Sequence, residues 1–417
     1  MLALLIAGIA LAQTPPATTQ SGGLLAYVNQ SDDTYEARIG EPYVGCTQIQ
    51  MTSHTWRGIP WKHRIVVVEP EKPIEPASDL GYLHITGGDP NAADLALARR
   101  IANLSGLPVH ILFDIPNQPL FDGLKEDALI AYTFLQYIED GDGDWPLLYP
   151  MVKSTVRAMD AVVAHTKTRR FILNGASKRG WTTWLAGAVG DRRVVGLAPM
   201  VYDNLNLVAQ MLRQAETFAG GHSEQISDYA RAGLLEKIAS PKGQELIAHV
   251  DPFAYRRALE VPKLILTGSN DPYWPVDAMT IYWDALGGRK SARVVPNAGH
   301  DLGSQEQWVP TLAAFGHALA TDGGFPTVRW TWSDRTLTMD GLRQHVESAR
   351  MWVAESDTLD FRGSTWHAIG AQKGMRRTSI SLPAGRKNQA AFGELAFKVA
   401  GIEFSLTTAP KVFPVAR

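Results

Sequence analysis

Cysteine is almost absent from this chain of 417 residues, since Cys46 is the only one. A single thiol cannot form an intramolecular disulfide, so we expect the hydrophobic core alone to hold the fold together. No partner motif surrounds Cys46, and we interpret it as a small buried residue rather than a nucleophile. The patterns H-E-x-x-H, C-x-x-C and the P-loop are also missing, so the sequence implies no metal site and no cofactor.

The chain also has no large excess of positive or of negative charge. The chain carries 40 Lys and Arg against 42 Asp and Glu, for a formal net charge of −2, and its basic residues form no concentrated run. Such a balance gives no long-range attraction to phosphate backbones or anionic lipid, so we expect no nucleic acid partner. No apolar run reaches the roughly 20 residues that span a bilayer, so we expect no stable membrane span.

The N-terminus carries a short apolar run, MLALLIAGIALA, over residues 1–12. It ends in an A-x-A sequence, as the apolar region of a signal peptide does, although the usual basic residues before it are missing. The polar residues 13–23 follow, rich in Pro, Thr and Gly. We therefore predict a signal peptide over 1–12, a flexible N-terminus over 13–23, and a periplasmic or secreted protein.

The middle of the chain alternates short apolar runs with helical stretches, which is typical of βαβ units on a parallel sheet. Two early strands joined by a hairpin are expected between Cys46 and Glu69. Each later run is short, apolar and β-branched, as strands buried on both faces are. The expected strands are LGYLHIT (80–86), PVHILFDI (108–115), RRFILNG (169–175), VVGLAPM (194–200), PKLILTG (262–268) and SARVVPN (291–297).

Two segments depart from this rhythm. Residues 203–260 contain only amphipathic helical patterns, which predicts a helical cap inserted between two strands of a catalytic domain over 24–322. From residue 325 to 417 the sequence alternates apolar and polar residues with frequent turn signals. That pattern predicts a small C-terminal antiparallel β-sandwich as a second domain.

The stretch RRFILNGASKRGWTTWLAGAV contains the strongest chemical signal. An apolar strand leads into Gly175-Ala176-Ser177, and a helix follows at once. This is the pattern of a nucleophile elbow, with the downstream glycine one residue later, at Gly180, than in the strict G-x-S-x-G form. A plain helix N-cap serine is the alternative interpretation of Ser177.

Two later loops supply partners for this serine. Asp271 follows the strand KLILTG and His300 follows the next strand, each where a strand's carboxyl end meets a loop. The order Ser, Asp, His is that of α/β-hydrolases. We therefore predict an α/β-hydrolase with a parallel-type sheet and the triad Ser177, Asp271 and His300, with Asp277 as the alternative acid.

Other residues near these motifs are candidates for the rest of an active site. The backbone N–H of Lys178 is expected to be one oxyanion donor, and Gly87 or Gly88, after the first parallel strand, the other. The side chains of Lys178 and Arg179 are either a positive site for an acidic substrate group or simply solvated. Four further residues are candidate pocket residues: Gln118, Trp181, Tyr273 and Trp274.

Several stretches together resemble the PhoPQ-activated pathogenicity-related family: SHTWRGIPWKH, HITGG, FDIPNQPLFDG, EDALIAYTFLQY, WPLLYPMVKSTVRAMD, NGASKRGWTTWLAG, GSNDPYWPVDA and PNAGHDLG. The resemblance implies an α/β-hydrolase core with the same triad. The elbow also resembles that of glucuronoyl esterases, in which an Arg directly follows the Ser, but Lys178 holds that position here.

The sequence thus predicts an esterase that acts on a small-molecule or polymer ester, and leaves the oligomeric state open. A serine peptidase with the same triad and a non-catalytic binding protein on a hydrolase scaffold are the alternatives. Asp140, Asp142 and Asp144 resemble a calcium loop, but Trp145 and Met151 replace the required glycine and glutamate. We interpret them as a solvated acidic turn.

Overall fold

The computed structural model describes residues 23–75 and 78–415. The predicted signal peptide and, apart from Gly23, the predicted flexible N-terminus lie outside the described residues. Seventeen strands are present in the described part of the chain: β1 Glu36–Ile39, β2 Thr47–Trp56, β3 Ile59–Val68, β4 Leu80–Ile85, β5 Val109–Leu112, β6 Arg170–Ala176, β7 Val194–Met200, β8 Lys263–Gly268, β9 Lys290–Val295, β10 Thr327–Ser333, β11 Thr336–Leu342, β12 Val346–Ser356, β13 His367–Lys373, β14 Arg377–Ser381, β15 Asn388–Val399, β16 Ile402–Thr407 and β17 Lys411–Phe413.

The six predicted parallel strands are confirmed as β4 to β9. They lie in the order β5-β4-β6-β7-β8-β9 and all five neighbouring pairs run parallel. The early hairpin β2–β3 is also present and joins this sheet antiparallel to β5. Its turn consists of Arg57 and Gly58, both at positive φ, as a two-residue hairpin turn requires.

The described residues contain ten α-helices: α1 Leu24–Asn29, α2 Ala92–Ser105, α3 Glu126–Asp140, α4 Leu148–His165, α5 Lys178–Ala188, α6 Leu207–Thr217, α7 Ser227–Arg231, α8 Leu234–Lys237, α9 Pro241–Val250 and α10 Val309–Ala320. Helices α2 and α10 pack together with one face of the sheet, and α4 and α5 with the other. Successive strand residues therefore enter different cores, as Ile172 and Leu173 do. The fold is the predicted α/β-hydrolase arrangement.

The expected insertion contains α6 to α9 and no strand. Asp251 holds its two ends together, because its carboxylate accepts hydrogen bonds from the backbone N–H groups of Asn206 (3.1 Å), Leu207 (2.8 Å) and Phe253 (2.9 Å). Burial raises the pKa of Asp251 to about 6. The two ends of the segment 203–260 are thus joined to each other by hydrogen bonds.

The C-terminal strands form two packed antiparallel sheets, as a sandwich does. One contains β10, β11 and β14; the other contains β16, β15, β12, β13 and β17. The second sheet is not separate, however, because β16 pairs with β9 at Thr407 and Ala292 and so continues the central sheet. Strand β9 would otherwise be an exposed edge, and β16 covers it.

The expectation that Cys46 is buried is wrong, since it is half-buried at the turn before β2.

A buried ion pair reinforces this junction. Arg293 of β9 donates to Glu394 of β15 at 2.7 Å, and the two side chains are only 6% and 7% exposed. Trp352 also donates its indole N–H to the same carboxylate, at 3.3 Å. Removing one charge of such a pair leaves the other buried without a counter-ion.

We predict that Glu394→Leu lowers the free energy of unfolding by about 3 kcal/mol, because it leaves the Arg293 guanidinium unpaired in the interior. Urea denaturation followed by tryptophan fluorescence measures this change. Glu403→Gln is the control, since Glu403 pairs with Lys398 on the exposed surface of the same sandwich. Equal effects of the two substitutions would contradict the role given to the buried pair.

Candidate active site

Ser177 occupies the sharp turn between β6 and α5. Its backbone has φ 58° and ψ −125°, a conformation that side-chain-bearing residues rarely adopt. Two backbone hydrogen bonds hold the turn: the Ser177 N–H donates to Met200 O at 2.9 Å, and the Trp181 N–H donates to Ser177 O at 3.0 Å. This is the geometry expected of a nucleophile elbow, and a simple N-cap would not require it.

The two glycines of the elbow are required by close contacts. A Cβ on Gly175 would lie 2.8 Å from Arg179 O, and a Cβ on Gly180 would lie 2.7 Å from Met200 O. Both obstacles are backbone atoms, which cannot move aside. In this chain the residue that faces β7 after the elbow is Gly180 rather than residue 179, which explains the one-residue shift of the downstream glycine.

Asp271 and His300 meet at the carboxyl ends of β8 and β9. His300 Nδ1 lies 2.8 Å from Asp271 Oδ2, and Asp271 Oδ1 accepts the Tyr273 N–H at 2.9 Å. Asp271 is 4% exposed. The two loops approach so closely that a Cβ on Gly268 would overlap Ala298 O. Both carboxylate oxygens are thus fixed, and one of them orients the imidazole.

Two other carboxylates near this loop have different partners. Asp277, the alternative acid, forms a two-point ion pair with Arg213 at 2.8 and 3.0 Å. Asp203, which the sequence analysis did not single out, is buried at the end of β7 and accepts the Tyr282 hydroxyl at 2.5 Å. Burial raises the pKa of Asp203 to about 7. Neither carboxylate is hydrogen-bonded to His300.

The second ring nitrogen of His300 has no partner among the described residues. His300 Nε2 is buried and makes no hydrogen bond, including none to the Ser177 hydroxyl. The ring lies over Tyr273, with centroids 4.2 Å apart. An imidazole fixed at Nδ1 and unoccupied at Nε2 is available to exchange a proton, and contacts of this kind often tighten only when substrate binds.

Ser177 opens on an apolar cavity of about 120 Å³. Helices and loops of the segment 203–260 supply most of its wall. Trp181, Tyr273 and Trp274 line the cavity, whereas Gln118 does not. The wall includes Phe134, Tyr202, Leu207, Val208, Met211, Ile226, Tyr229, Leu234, Leu235, Ile238, Leu246, Ile247 and Val250.

Lys178 and Arg179 are neither a free positive site nor solvated. Lys178 Nζ lies 2.8 Å from Asp127, and Arg179 donates to both oxygens of Glu126 at 2.7 and 2.6 Å. Burial lowers the pKa of Lys178, but the charges around it, chiefly the Asp127 carboxylate, together give a net upward shift. Burial raises the pKa of Glu126, but the hydrogen bonds and charge of Arg179, together with Gln118 and Lys178, lower that pKa to about 2.

This ion-pair network also explains the place of Gln118. Its amide donates to Glu126 at 2.6 Å and accepts the Glu126 N–H at 2.9 Å, so it holds the start of α3 and does not line the cavity. Arg179 further donates to Ile115 O at 2.6 Å. A Cβ on Gly87 would overlap the guanidinium so held, so the loop after β4 needs a glycine there. Nothing local distinguishes Glu126 and Asp127 from ordinary acidic residues at a helix start, so the sequence alone does not indicate their role.

A second serine also lies near histidines. Ser53 Oγ is 2.9 Å from His54 Nδ1, from His63 Nε2 and from Ser154 Oγ. All four side chains are almost fully buried, and none of them lines the cavity beside Ser177. We interpret this cluster as a hydrogen-bonded polar part of the core between β2, β3 and α4.

Comparisons with known proteins give one family. The model of the family described as "PhoPQ-activated pathogenicity-related protein" matches residues 24–362. Autocrine proliferation repressor protein A of Dictyostelium discoideum is 32% identical over 374 residues, which cover 82% of this chain and 73% of that protein. No helix in the described part of the chain is long and apolar enough to cross a membrane.

Two solved structures are similar to this chain at low identity. Acetyl Xylan Esterase 1 from Thermoanaerobacterium sp. JW/SL YS485 has a TM-score of 0.44 at 14% identity, over 71% of this chain and 91% of that one. The acetyl xylan esterase from Paenibacillus sp. R4 has a TM-score of 0.45 at 14% identity, over 69% of this chain and 91% of that one. These values do not identify a substrate.

We predict that Glu126→Gln costs about 1 kcal/mol of stability at pH 7, a modest loss because the Glu126 side chain is 38% exposed and solvent screens the pair. Because the folded-state pKa of Glu126 is lowered to about 2, its contribution is present above pH 4.5 and is lost as the pH falls towards 2. The stability difference between wild type and variant, measured by urea denaturation, should therefore shrink over that range.

The matched control is Glu139→Gln, whose carboxylate pairs with Lys237 at the surface. It should have a small effect at every pH. A Glu126→Gln difference that stayed constant down to pH 2 would contradict the ion pair with Arg179.

Proposed function

The chain belongs to the PhoPQ-activated pathogenicity-related protein family, and we propose that it is a serine hydrolase that cleaves carboxylic esters with Ser177, Asp271 and His300. The observation that carries the proposal is the strained backbone of Ser177 at the wall of an apolar cavity. The Asp271–His300 pair, on the loops that end two other strands of the same sheet, supports it.

In this mechanism His300 Nε2 takes the proton from Ser177 Oγ as that oxygen attacks the acyl carbon. Asp271 holds the imidazole through Nδ1 and stabilises its cation. Collapse of the tetrahedral intermediate breaks the ester bond, and His300 gives its proton to the departing alkoxide. Water, activated by the same imidazole, then attacks the acyl-enzyme, releasing the acid and restoring the Ser177 hydroxyl.

The developing oxyanion needs two donors. The Lys178 N–H lies at the first position of α5, where helical N–H groups have no intrahelical partner. The loop at Gly87 and Gly88 directly follows β4, the neighbour of β6 in the sheet. We assign the second donor to one of these two glycines. The Arg179 guanidinium packed against Gly87 keeps this loop close to the elbow.

The cavity indicates the substrate class. It is almost wholly apolar, and its volume of about 120 Å³ is comparable to the roughly 150 Å³ of an engineered cavity that binds benzene. Among the described residues Asp127 is the one carboxylate in the cavity wall, and Lys178 pairs with it, so these residues offer no free acid to the amino terminus of a peptide. We therefore favour an ester with a compact apolar group over a peptide substrate.

The predicted leader over residues 1–12 adds a location to this proposal. Its cleavage would release the hydrolase into the periplasm or outside the cell.

We predict that Ser177→Ala abolishes hydrolysis of p-nitrophenyl esters and that Asp271→Asn lowers kcat by about 10⁴-fold, because the imidazole then loses the carboxylate that orients it. Initial rates on short-chain esters measure both effects. Circular dichroism should be unchanged, since neither substitution removes core volume.

Asp277→Asn is the control for the acid, because Asp277 lies on the same loop as Asp271 but its carboxylate pairs with Arg213 of α6 and not with His300. It should keep most of the wild-type kcat. Wild-type rates in Ser177→Ala would overturn the nucleophile, and a greater loss in Asp277→Asn than in Asp271→Asn would overturn the acid.

The cavity generates a separate prediction about selectivity. Val208→Phe places a larger side chain in the wall supplied by α6, so kcat/KM for p-nitrophenyl hexanoate should fall at least about tenfold more than for the acetate. Val415→Phe, at an exposed position in the sandwich, is the control and should leave the ratio unchanged. An unaltered ratio in a folded Val208→Phe enzyme would show that this cavity does not hold the substrate.

A further inference from the structure

The segment 357–366, which connects β12 to β13 in the sandwich, returns to the loops that hold Asp271 and His300. Its first contact is with Asn270, the neighbour of Asp271 in the chain. The Asn270 side-chain amide donates to Arg362 O at 3.0 Å and to Ser364 O at 2.7 Å. Both acceptors are backbone atoms, so the contact depends on the path of the segment.

The second contact is with the loop that precedes His300. Asn297 Nδ2 donates to Trp366 O at 3.0 Å, and Asn297 Oδ1 accepts the Trp366 N–H at 2.7 Å. Asn297 itself is at φ 58°, and its N–H donates to Ser269 Oγ at 2.8 Å. The same residue thus joins the His300 loop to the Asp271 loop and to the sandwich.

The segment is anchored firmly enough to serve as a support. Phe361 and Trp366 are each 2% exposed, and Trp366 packs against Phe392 of β15 with ring centroids 5.0 Å apart. Ser364 Oγ donates to Glu355 O at 2.9 Å. Phe361 also lines a small cavity together with Asp271. Movement of this segment would therefore require repacking of the sandwich.

The segment also contacts the helical insertion. The Arg362 guanidinium binds Asp360 at 2.7 Å and Glu224 of the insertion at 2.7 Å, and it lies 4.1 Å from the ring centre of Phe218. It reaches Pro272 O, one residue after Asp271, at 3.4 Å. The Arg362 side chain thus connects the sandwich to the loop of Asp271 and to the helical insertion.

We propose that the C-terminal sandwich positions the active site through segment 357–366, with Asn270 and Asn297 as positioning residues for Asp271 and His300. This inference rests on the proposed triad. Asp271 and His300 lie on irregular loops, whose placement depends on the bonds beside them. Because misplacement by about 1 Å can cost two orders of magnitude in rate, such bonds act on kcat rather than on substrate binding.

The test compares three asparagines that each use their side chain to bridge two backbone groups. Asn270→Ala and Asn297→Ala should each lower kcat about tenfold on a short-chain p-nitrophenyl ester, with KM within about twofold of wild type. Asn388→Ala is the matched control, since Asn388 bonds Ser356 O and the Val415 N–H within the sandwich, away from the catalytic loops. Its kcat should match that of wild type.

Thermal unfolding of all variants separates positioning from folding. The inference predicts similar Tm values for the three alanine variants but low kcat in only two, and partial recovery of kcat in Asn297→Asp, which keeps the acceptor for the Trp366 N–H. Equal kcat in all three would overturn it, as would kcat losses that follow Tm. An inactive wild type, or a fully active Ser177→Ala, would instead overturn the proposed function on which it rests.

Discussion

The geometry of this site depends on one strained residue. At φ 58° the Ser177 backbone is held between β6 and α5 by hydrogen bonds to both sides, and the chain can turn there only because Gly175 and Gly180 let backbone atoms approach within contact distance. The strain projects the hydroxyl out of the sheet into a cavity. We propose that the imidazole, its carboxylate and the cap act together with the hydroxyl at that point.

Charge neutralisation is the second constraint. Two basic residues follow Ser177 and two acidic residues begin α3. All four side chains form ion pairs with one another, Lys178 with Asp127 and Arg179 with Glu126. The site beside Ser177 is therefore apolar although charged residues surround it. In the same network the Arg179 guanidinium packs against Gly87, and this contact keeps the loop after β4 close to the elbow. Such apolar surroundings favour an uncharged group over an ionic one, in agreement with the proposed ester substrate.

The sequence predicted the elements whose signal is local. The strands β4 to β9 were found within two or three residues because each is buried on both faces and therefore reads as a continuous apolar run. The side chains of Ser177, Asp271 and His300 follow such runs, and the pairing of Asp271 with His300 agrees with the prediction. The helical insertion was recognised by its lack of any such run.

What the sequence did not reveal depends on contacts between distant segments. The pairing of β16 with β9 joins residues more than a hundred positions apart, so the sandwich was expected to be separate. The hydrogen bond between Gln118 and Glu126 has no local signature, so the sequence favours a pocket position for Gln118 that the structure does not show. No local sequence pattern predicts the hydrogen bonds from Asn270 and Asn297 to segment 357–366.

The most direct measurement of the central claim is to react the protein with a fluorophosphonate and to identify the modified residue by peptide mass spectrometry. Because only an activated serine that a substrate can reach forms this adduct, the account predicts stoichiometric modification of Ser177 and none of Ser53, which is buried among His54, His63 and Ser154. Modification of Ser53, or a failure to modify Ser177 in the folded protein, would contradict it.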